Sequence, residues 1–275
     1  MTILITGATG SVGRHVVDLL VAAGAPVRAL TRTPAAAQLP PAVEVFEGDL
    51  LRPDSLVPAL AGVERLYLFP EPATAREVAD RAKRAGVERI VVLSSDAVTE
   101  GSDPGHHRPV EEAAESTGLG WTHVRPGEFA VNKLSLWQRS IREEGVVRAA
   151  YPTAVGAPVH EADVAAVAAA ALLEDGHAGA VHRVSGPSAL AVRDQVAALA
   201  TGLGRAVRLV EVGHDEARKD MLRDGFPEYV ADYILAFQAQ WVDRPAPVHD
   251  TVRRLIGRPA HDLTRWAADH RRDFL

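Results

Sequence analysis

The sequence predicts an α/β fold, a doubly wound parallel sheet followed by a smaller, mostly helical C-terminal subdomain. Three observations carry it. Short β-rich runs alternate with helical patterns from Thr2 to Arg125. Glycines close successive helical patterns at Gly24, Gly86 and Gly118. A glycine triplet, Gly7, Gly10 and Gly13, joins the first β-rich run to the first helix. Parallel strands linked in this way take right-handed crossovers.

In order, Thr2–Thr6 forms the first strand, and Val12 to Ala23 has helical spacing up to Gly24. Pro26–Thr31 is the second strand and Val43–Phe46 the third. A helix starts near Pro53, with Asp54 and Ser55 in its first turn. Arg65–Phe69 makes the fourth strand, Thr74–Ala85 a helix closed by Gly86, and Arg89–Ser94 the fifth strand. The helix Pro109–Ser116 ends at Gly118, and Trp121–Arg125 is the sixth strand, broken by Arg125-Pro126-Gly127. A helix then runs to about Glu144, an alanine-rich apolar helix covers Asp163 to Leu173, and Val181–Ser185 reads as a further strand. From Asp194 the tail is mostly helical, with one strand at Val207–Val212. The expected organisation is residues 1–150 as the sheet domain and 151–275 as an interleaved C-terminal substrate subdomain.

The 275 residues are 47% hydrophobic and 24% charged, an ordinary balance for a well-filled globular core. The chain has no cysteine, which excludes disulfides, thiolate metal sites, iron–sulfur clusters and a cysteine nucleophile. A net charge of −6 gives no electrostatic reason to expect nucleic acid. The longest apolar run, Val164 to Leu173, is too short for a bilayer, and no basic leader precedes the first strand. The expectation is a cytoplasmic protein with no membrane partner. Basic residues are almost all arginine; Lys83, Lys133 and Lys219 are the only lysines.

The first turn reads Thr6-Gly7-Ala8-Thr9-Gly10-Ser11-Val12-Gly13. Gly7 permits a tight turn out of the strand, Gly10 lets the backbone approach a phosphate, and Gly13 lets the helix pack against the sheet. The helix N-terminus offers unpaired N–H groups and a partial positive charge to a pyrophosphate. Between a strand and a helix at the head of a βαβ unit, the triplet reads as the dinucleotide-binding turn of a Rossmann fold. Its expected cofactor contacts are Gly7, Thr9, Gly10, Ser11, Val12 and Gly13.

The second strand selects the cofactor. An acid roughly 20 residues past the loop usually binds the ribose 2′-hydroxyl of NAD. No acidic residue occurs between Asp18 and Glu44; the strand ends Ala29-Leu30-Thr31-Arg32, with Arg28 nearby. A guanidinium suits a 2′-phosphate through paired contacts. The expected cofactor is therefore NADP(H) rather than NAD(H), held through Arg32, the plainer alternative being that Arg32 caps a loop.

Further motifs join the turn: Gly48-Asp49-Leu50 after the third strand, Leu93-Ser94-Ser95 after the fifth, and Gly118-x-x-Trp121-Thr122-x-x-Arg125-Pro126-Gly127-x-Phe129-x-x-Asn132. With Asp163-Val164-Ala165, Gly257-Arg258-Pro259 and Trp266-Ala267, the chain resembles the NmrA-like, atypical short-chain dehydrogenase/reductase family over nearly its whole length. That family is functionally mixed. It includes NADPH-dependent quinone reductases, aromatic-compound reductases, oxygenase-like enzymes of aromatic polyketide hydroquinones, and redox sensors that bind the dinucleotide without turnover. The resemblance implies Asp49 and Leu50 beside the adenine, and Phe69 and Pro70 along the cofactor channel. It implies Ser94 and Ser95 facing the nicotinamide end, with Pro126, Gly127 and Phe129 bordering it; ordinary strand-end hydrogen bonding is the plainer role for the two serines.

A standard short-chain dehydrogenase pairs a tyrosine acid with a lysine four residues later. None of Tyr67, Tyr151, Tyr229 and Tyr233 has that lysine. The catalytic candidates are then Ser95, Asp96, His106, His107, Arg108 and Asn132. By the resemblance, the loop carrying His106, His107 and Arg108 lies where related enzymes keep the tyrosine and lysine. A histidine titrates near neutral pH and can carry a proton, and Arg108 can hold a developing phenolate by charge. The plainer alternative is a solvated loop. His160-Glu161-Ala162-Asp163 lacks the second histidine of a zinc motif, because position 164 is valine, so no metal is assigned. Phe226, Tyr229, Val230, Tyr233, Ile234, Phe237 and Trp241 share a helical face, which either walls a flat substrate or packs as core or as a dimer face.

The expected function is NADP-dependent oxidoreduction of a small quinone-like or polycyclic aromatic substrate, polyketides included, without a tyrosine–lysine pair. Hydride transfer needs only the nicotinamide held against an electrophilic acceptor, and a quinone can take its proton from water. Two alternatives stay open: a monooxygenase of a hydroquinone or anthrone on the same scaffold, and a non-catalytic regulator sensing the NADP/NADPH ratio. The expected assembly is a monomer or homodimer.

Overall fold

The computed structural model describes residues 1–275. Its elements begin with β1 (Ile3–Ile5), α1 (Ser11–Ala22), β2 (Val27–Thr31), β3 (Glu44–Glu47), α2 (Val57–Leu60), β4 (Arg65–Leu68), α3 (Ala75–Arg84) and β5 (Arg89–Leu93). There follow α4 (Asp96–Glu100), α5 (Arg108–Glu115), β6 (Gly120–Pro126), α6 (Asn132–Glu144), β7 (Val146–Ala149), β8 (Val155–Gly156), α7 (Glu161–Leu173) and β9 (Ala180–Val184). The chain ends with β10 (Leu190–Ala191), α8 (Val192–Leu203), β11 (Arg208–Glu211), α9 (His214–Arg223), α10 (Glu228–Gln240), α11 (Thr251–Ile256) and α12 (Leu263–Asp269).

Two compact units form. One comprises Met1–Gly127, Glu161–Val184 and Thr251–Arg258; the other comprises Glu128–His160, Ser185–Asp250 and Pro259–Leu275. Residues 128–150, grouped with the sheet on sequence, pack in the second unit, while α7 and β9 return to the first because they cover and extend its sheet.

In the first unit, seven parallel strands run in the order β3-β2-β1-β4-β5-β6-β9. The strand order reverses between β1 and β4, which makes that crevice the switch point where open α/β sheets take ligands. On one face, Leu4, Leu30, Leu66, Leu68, Ile90 and Val92 bury against Val78, Ala79 and Ala82 of α3 and Val110, Ala113 and Ala114 of α5. Alternate strand residues point the other way. There α7 packs on α1 and on β4, β5, β6 and β9. Every residue of α7 from Asp163 to Leu172 is buried, as an apolar helix without a polar side must be, and its alanines let α1 come close. Arg65 donates to Leu172 O, and Arg89 to Ala171 O (3.0 Å) and Glu174 O, so two cations close the C-terminus of α7.

In the second unit, β7 pairs in parallel with β11, and β8 in antiparallel with β10. Its core gathers Trp137, Ile141, Val147, Leu199, Leu203, Trp266 and Phe274. The strand expected at 207–212 is β11. The aromatic face expected from sequence divides: α10 buries Ala231 and Leu235, whereas Tyr229 and Tyr233 are exposed. Tyr233, Phe237 and Trp241 follow one another with ring centroids 6.3 and 6.2 Å apart. The stripe is therefore not this unit's core. No helix is long and apolar enough to cross a membrane.

Candidate functional site

The glycine turn folds back on itself. Gly7 has φ +61°, and a side chain there would meet the Phe69 ring, 3.0 Å from its nearest atom. Gly10 N donates to Gly7 O at 3.0 Å. A Cβ on Gly13 would stand 2.1 Å from Gly7 O and 2.8 Å from Gly7 C, both backbone atoms that cannot yield. The Thr6 hydroxyl donates to Tyr67 O (2.9 Å) and accepts from Phe69 N (2.8 Å), which fixes the turn to the end of β4. Gly10 caps α1 without a side chain, and the first turn of α1 holds no acid. The helix's first N–H groups and its dipole are therefore left for an anion. Thr9, Gly10 and Ser11 are exposed, and Val12 and Gly13 buried. A pyrophosphate fits this cradle.

The two arginines of β2 have different fates. Arg28 donates to Glu44 (2.8 Å), Ala59 O (3.1 Å) and Ala61 O (2.5 Å), and its guanidinium lies 5.2 Å from the Phe46 ring. It is engaged by the fold. Arg32, at the strand's C-terminal end, is exposed and makes no hydrogen bond or ion pair. Asp49 accepts from Leu51 N through Oδ1 (3.1 Å), and its own N–H donates to Ser55 (2.9 Å). Leu50 O accepts from the Thr74 hydroxyl at 2.7 Å. Phe69 is 43% exposed, with its ring over Gly7, and Pro70 is buried.

The strand ends beyond the switch point are tied in pairs. The buried Ser94 hydroxyl donates to Glu111 (2.5 Å), and Arg125 donates to both oxygens of that buried carboxylate (2.7 and 2.5 Å). Burial works against the charge on Glu111, but the Arg125 guanidinium and the Ser94 hydroxyl outweigh it and hold the carboxyl below its usual range. Asp96 is also buried and receives Nε and Nη2 of Arg183 at 2.6 and 2.7 Å. Ser95 caps α4 by accepting from Ala97 N at 3.2 Å.

In the next loop, Asp103 accepts from the backbone N–H groups of Gly105 (3.2 Å), His107 (3.2 Å) and Arg108 (3.1 Å) and lies 2.9 Å from His107 Nδ1. His106 is exposed and meets only the edge of His107, while Arg108 pairs with Glu112 at 2.8 Å in solvent. Pro126 closes β6 and is buried. In the second unit, Asn132 is exposed at the start of α6, its N–H donating to Phe129 O at 3.3 Å.

Three groups have no counterpart in the sequence-based expectations: Glu111, Arg183, and Glu128, which accepts from the buried Lys133 at 2.6 Å. Glu128 lies inside the Arg125–Asn132 motif, whereas Glu111 and Arg183 meet Arg125 and Asp96 across separations of 14 and 87 residues. The Tyr67 hydroxyl is sealed in the sheet without a hydrogen-bond partner, and burial pushes the phenol far above its usual range. Glu111, Glu115 and His123 bring ligand-type atoms within 4.8 Å, but Arg125 already occupies Glu111.

Comparison with known proteins agrees with the cradle. A family model described as NAD(P)H-binding matches residues 7–175. Over 99% of both chains, the sequence is 40% identical to the (4-alkanoyl-5-oxo-2,5-dihydrofuran-3-yl)methyl phosphate reductase of Streptomyces griseus subsp. griseus. It is 34% identical to the NAD(P)H azoreductase of Xenophilus azovorans, again over 99% of each. The crystal structure of an NADPH-dependent quinone oxidoreductase from Escherichia coli matches with a TM-score of 0.81 and 29% identity, covering 97% of this chain and 98% of that one.

Proposed function

We propose that this chain, which belongs to the NAD(P)H-binding family and is an NAD(P)H-dependent oxidoreductase, reduces a small, flat, quinone-like acceptor with NADPH. One observation carries the reading. Each polar group at the C-terminal ends of β5, β6 and β9 is engaged by another, as Ser94–Glu111–Arg125 and Asp96–Arg183, while Arg32 stands free at the end of β2. The sheet edge thus offers binding and charge but no free acid.

When bound, the dinucleotide supplies hydride to an electrophilic acceptor. The glycine turn and the N-terminus of α1 hold its pyrophosphate, and Arg32 recognises the 2′-phosphate. The exposed Phe69 ring offers a flat apolar wall beside the turn. A conjugated acceptor that takes up hydride spreads the resulting negative charge over its own carbonyl oxygens and can be protonated by water. No tyrosine–lysine pair is required for it. The names of the relatives fit this chemistry: a quinone, an azo group and an alkanoyl-substituted oxo-dihydrofuran are all conjugated, reducible π systems.

The test is steady-state oxidation of NADPH and NADH with a panel of quinones, with and without oxygen. The expected result is oxygen-independent turnover with a lower KM for NADPH. Product formed only with oxygen, or tight binding without consumption, contradicts it.

A further inference from the structure

Arg14 follows Gly13 in the first turn of α1 and is half-buried. Its guanidinium forks onto two consecutive carbonyls, Nη1 to Gln38 O at 3.0 Å and Nη2 to Ala37 O at 3.2 Å. These carbonyls end the segment that begins at Arg32. Thr33 N–H donates to the Thr31 hydroxyl (3.3 Å), a 3-10 turn covers Pro34–Ala36, and Ala37 is buried. Gln38 then takes φ +49°, the left-handed region that residues with side chains rarely adopt. The segment is thus fastened at one end by the pairing of β2 with β3 and at the other by Arg14. Between those fastenings, Arg32 is the exposed cation without a partner.

We propose that Arg14 is a positioning residue for cofactor selectivity: its fork on Ala37 and Gln38 holds the 32–38 segment so that Arg32 is preorganised for a 2′-phosphate. The proposal rests on the reading that Arg32 binds that phosphate. Gly13 sits against Gly7, so Arg14 leaves α1 from a backbone position set by the pyrophosphate turn. The two phosphate sites are therefore mechanically linked. A free loop would lose its freedom on binding NADP, whereas a fastened one has already lost it. The fork serves two acceptors at once, which a lysine ammonium on a flexible stem does less well.

Calorimetric titration of the whole protein with NADP+, NAD+ and adenosine 2′,5′-bisphosphate tests this without turnover. Arg14→Ala should weaken NADP+ and the bisphosphate about five- to tenfold, and NAD+ less than about twofold, as expected when only ordering of the 2′-phosphate loop is lost. In an Arg32→Ala background, Arg14→Ala should add less than about twofold, because the two residues act as one unit. Should Arg14→Ala not fold, Arg14→Lys carries the same selectivity change at about two- to threefold. Equal weakening of NADP+ and NAD+, or independent effects of the two arginines, overturns the proposal. If Arg32→Ala leaves the NADP+/NAD+ ratio intact, the 2′-phosphate reading itself falls. If Arg32→Ala collapses the ratio and Arg14→Ala does not change it, the positioning role alone falls.

Discussion

The position of a Cβ on Gly13 lies 2.1 Å from the carbonyl oxygen of Gly7. Helix α1 therefore seats against the glycine turn at a distance that no other residue allows. Gly13→Ala must push the helix from the turn and move the N–H groups proposed to hold the pyrophosphate. The expected cost is about 1–3 kcal/mol of stability, as for other overpacked sites. Affinity for NADP+ and NAD+ should fall together by at least about tenfold, since both share the pyrophosphate. Thermal melts and nucleotide titration check both.

That turn was legible because its signal is local: a strand, three glycines and a helix within eleven residues of one another. Arg32 stands out in the sequence only by default, through the missing acid between Asp18 and Glu44. What separates it from Arg28 does not, because Arg28 meets Glu44 only through the pairing of β2 with β3. Asp96 and Arg183 lie 87 residues apart, and no periodicity links β5 to β9. The short strands β7, β8 and β10, of two to four residues, carry too few alternations to be read. Of the roles open to the stripe on α10, only the core falls away, because Ala231 and Leu235 face inward while Tyr229 and Tyr233 are exposed.

Glu111 joins Ser94 to Arg125 in a buried network, so Glu111→Gln leaves an arginine without its counter-charge. A loss of about 3 kcal/mol is expected, as for other buried pairs broken on one side. The folded-state pKa of Glu111 is lowered, so the pair contributes fully above the unfolded value and is lost as pH falls through the folded one. The urea midpoint of the variant should thus lie below wild type at about pH 7, and the gap should close as pH falls through the lowered folded-state value of Glu111. The pH profile of kcat between about pH 6 and 8 should keep its shape, because the network holds no proton that the reaction uses.

His177 Nδ1 and His182 Nε2 are 3.0 Å apart and buried at the foot of β9. Burial, reinforced by the neighbouring His177, pushes His182 down to about 4. Between the ordinary histidine value, about 6.5, and that figure, the unfolded chain takes up a proton that the folded protein refuses. Stability must fall as pH drops across this window and level off below it. His182→Gln should flatten that slope; urea melts at intervals across the window measure it.

The central claim is hydride transfer from NADPH to a conjugated acceptor at a sheet edge with no free acid. Its most direct test is an anaerobic single turnover, in which decay of the reduced-nicotinamide absorbance is followed with a quinone, using NADPH with and without deuterium at the transferred position. The account predicts decay without oxygen, slowed by deuterium, at a rate that changes less than about twofold over about pH 6 to 8, because no enzyme acid titrates in the step. Bound NADPH that persists beside the quinone, or decays only when oxygen is admitted, would contradict it.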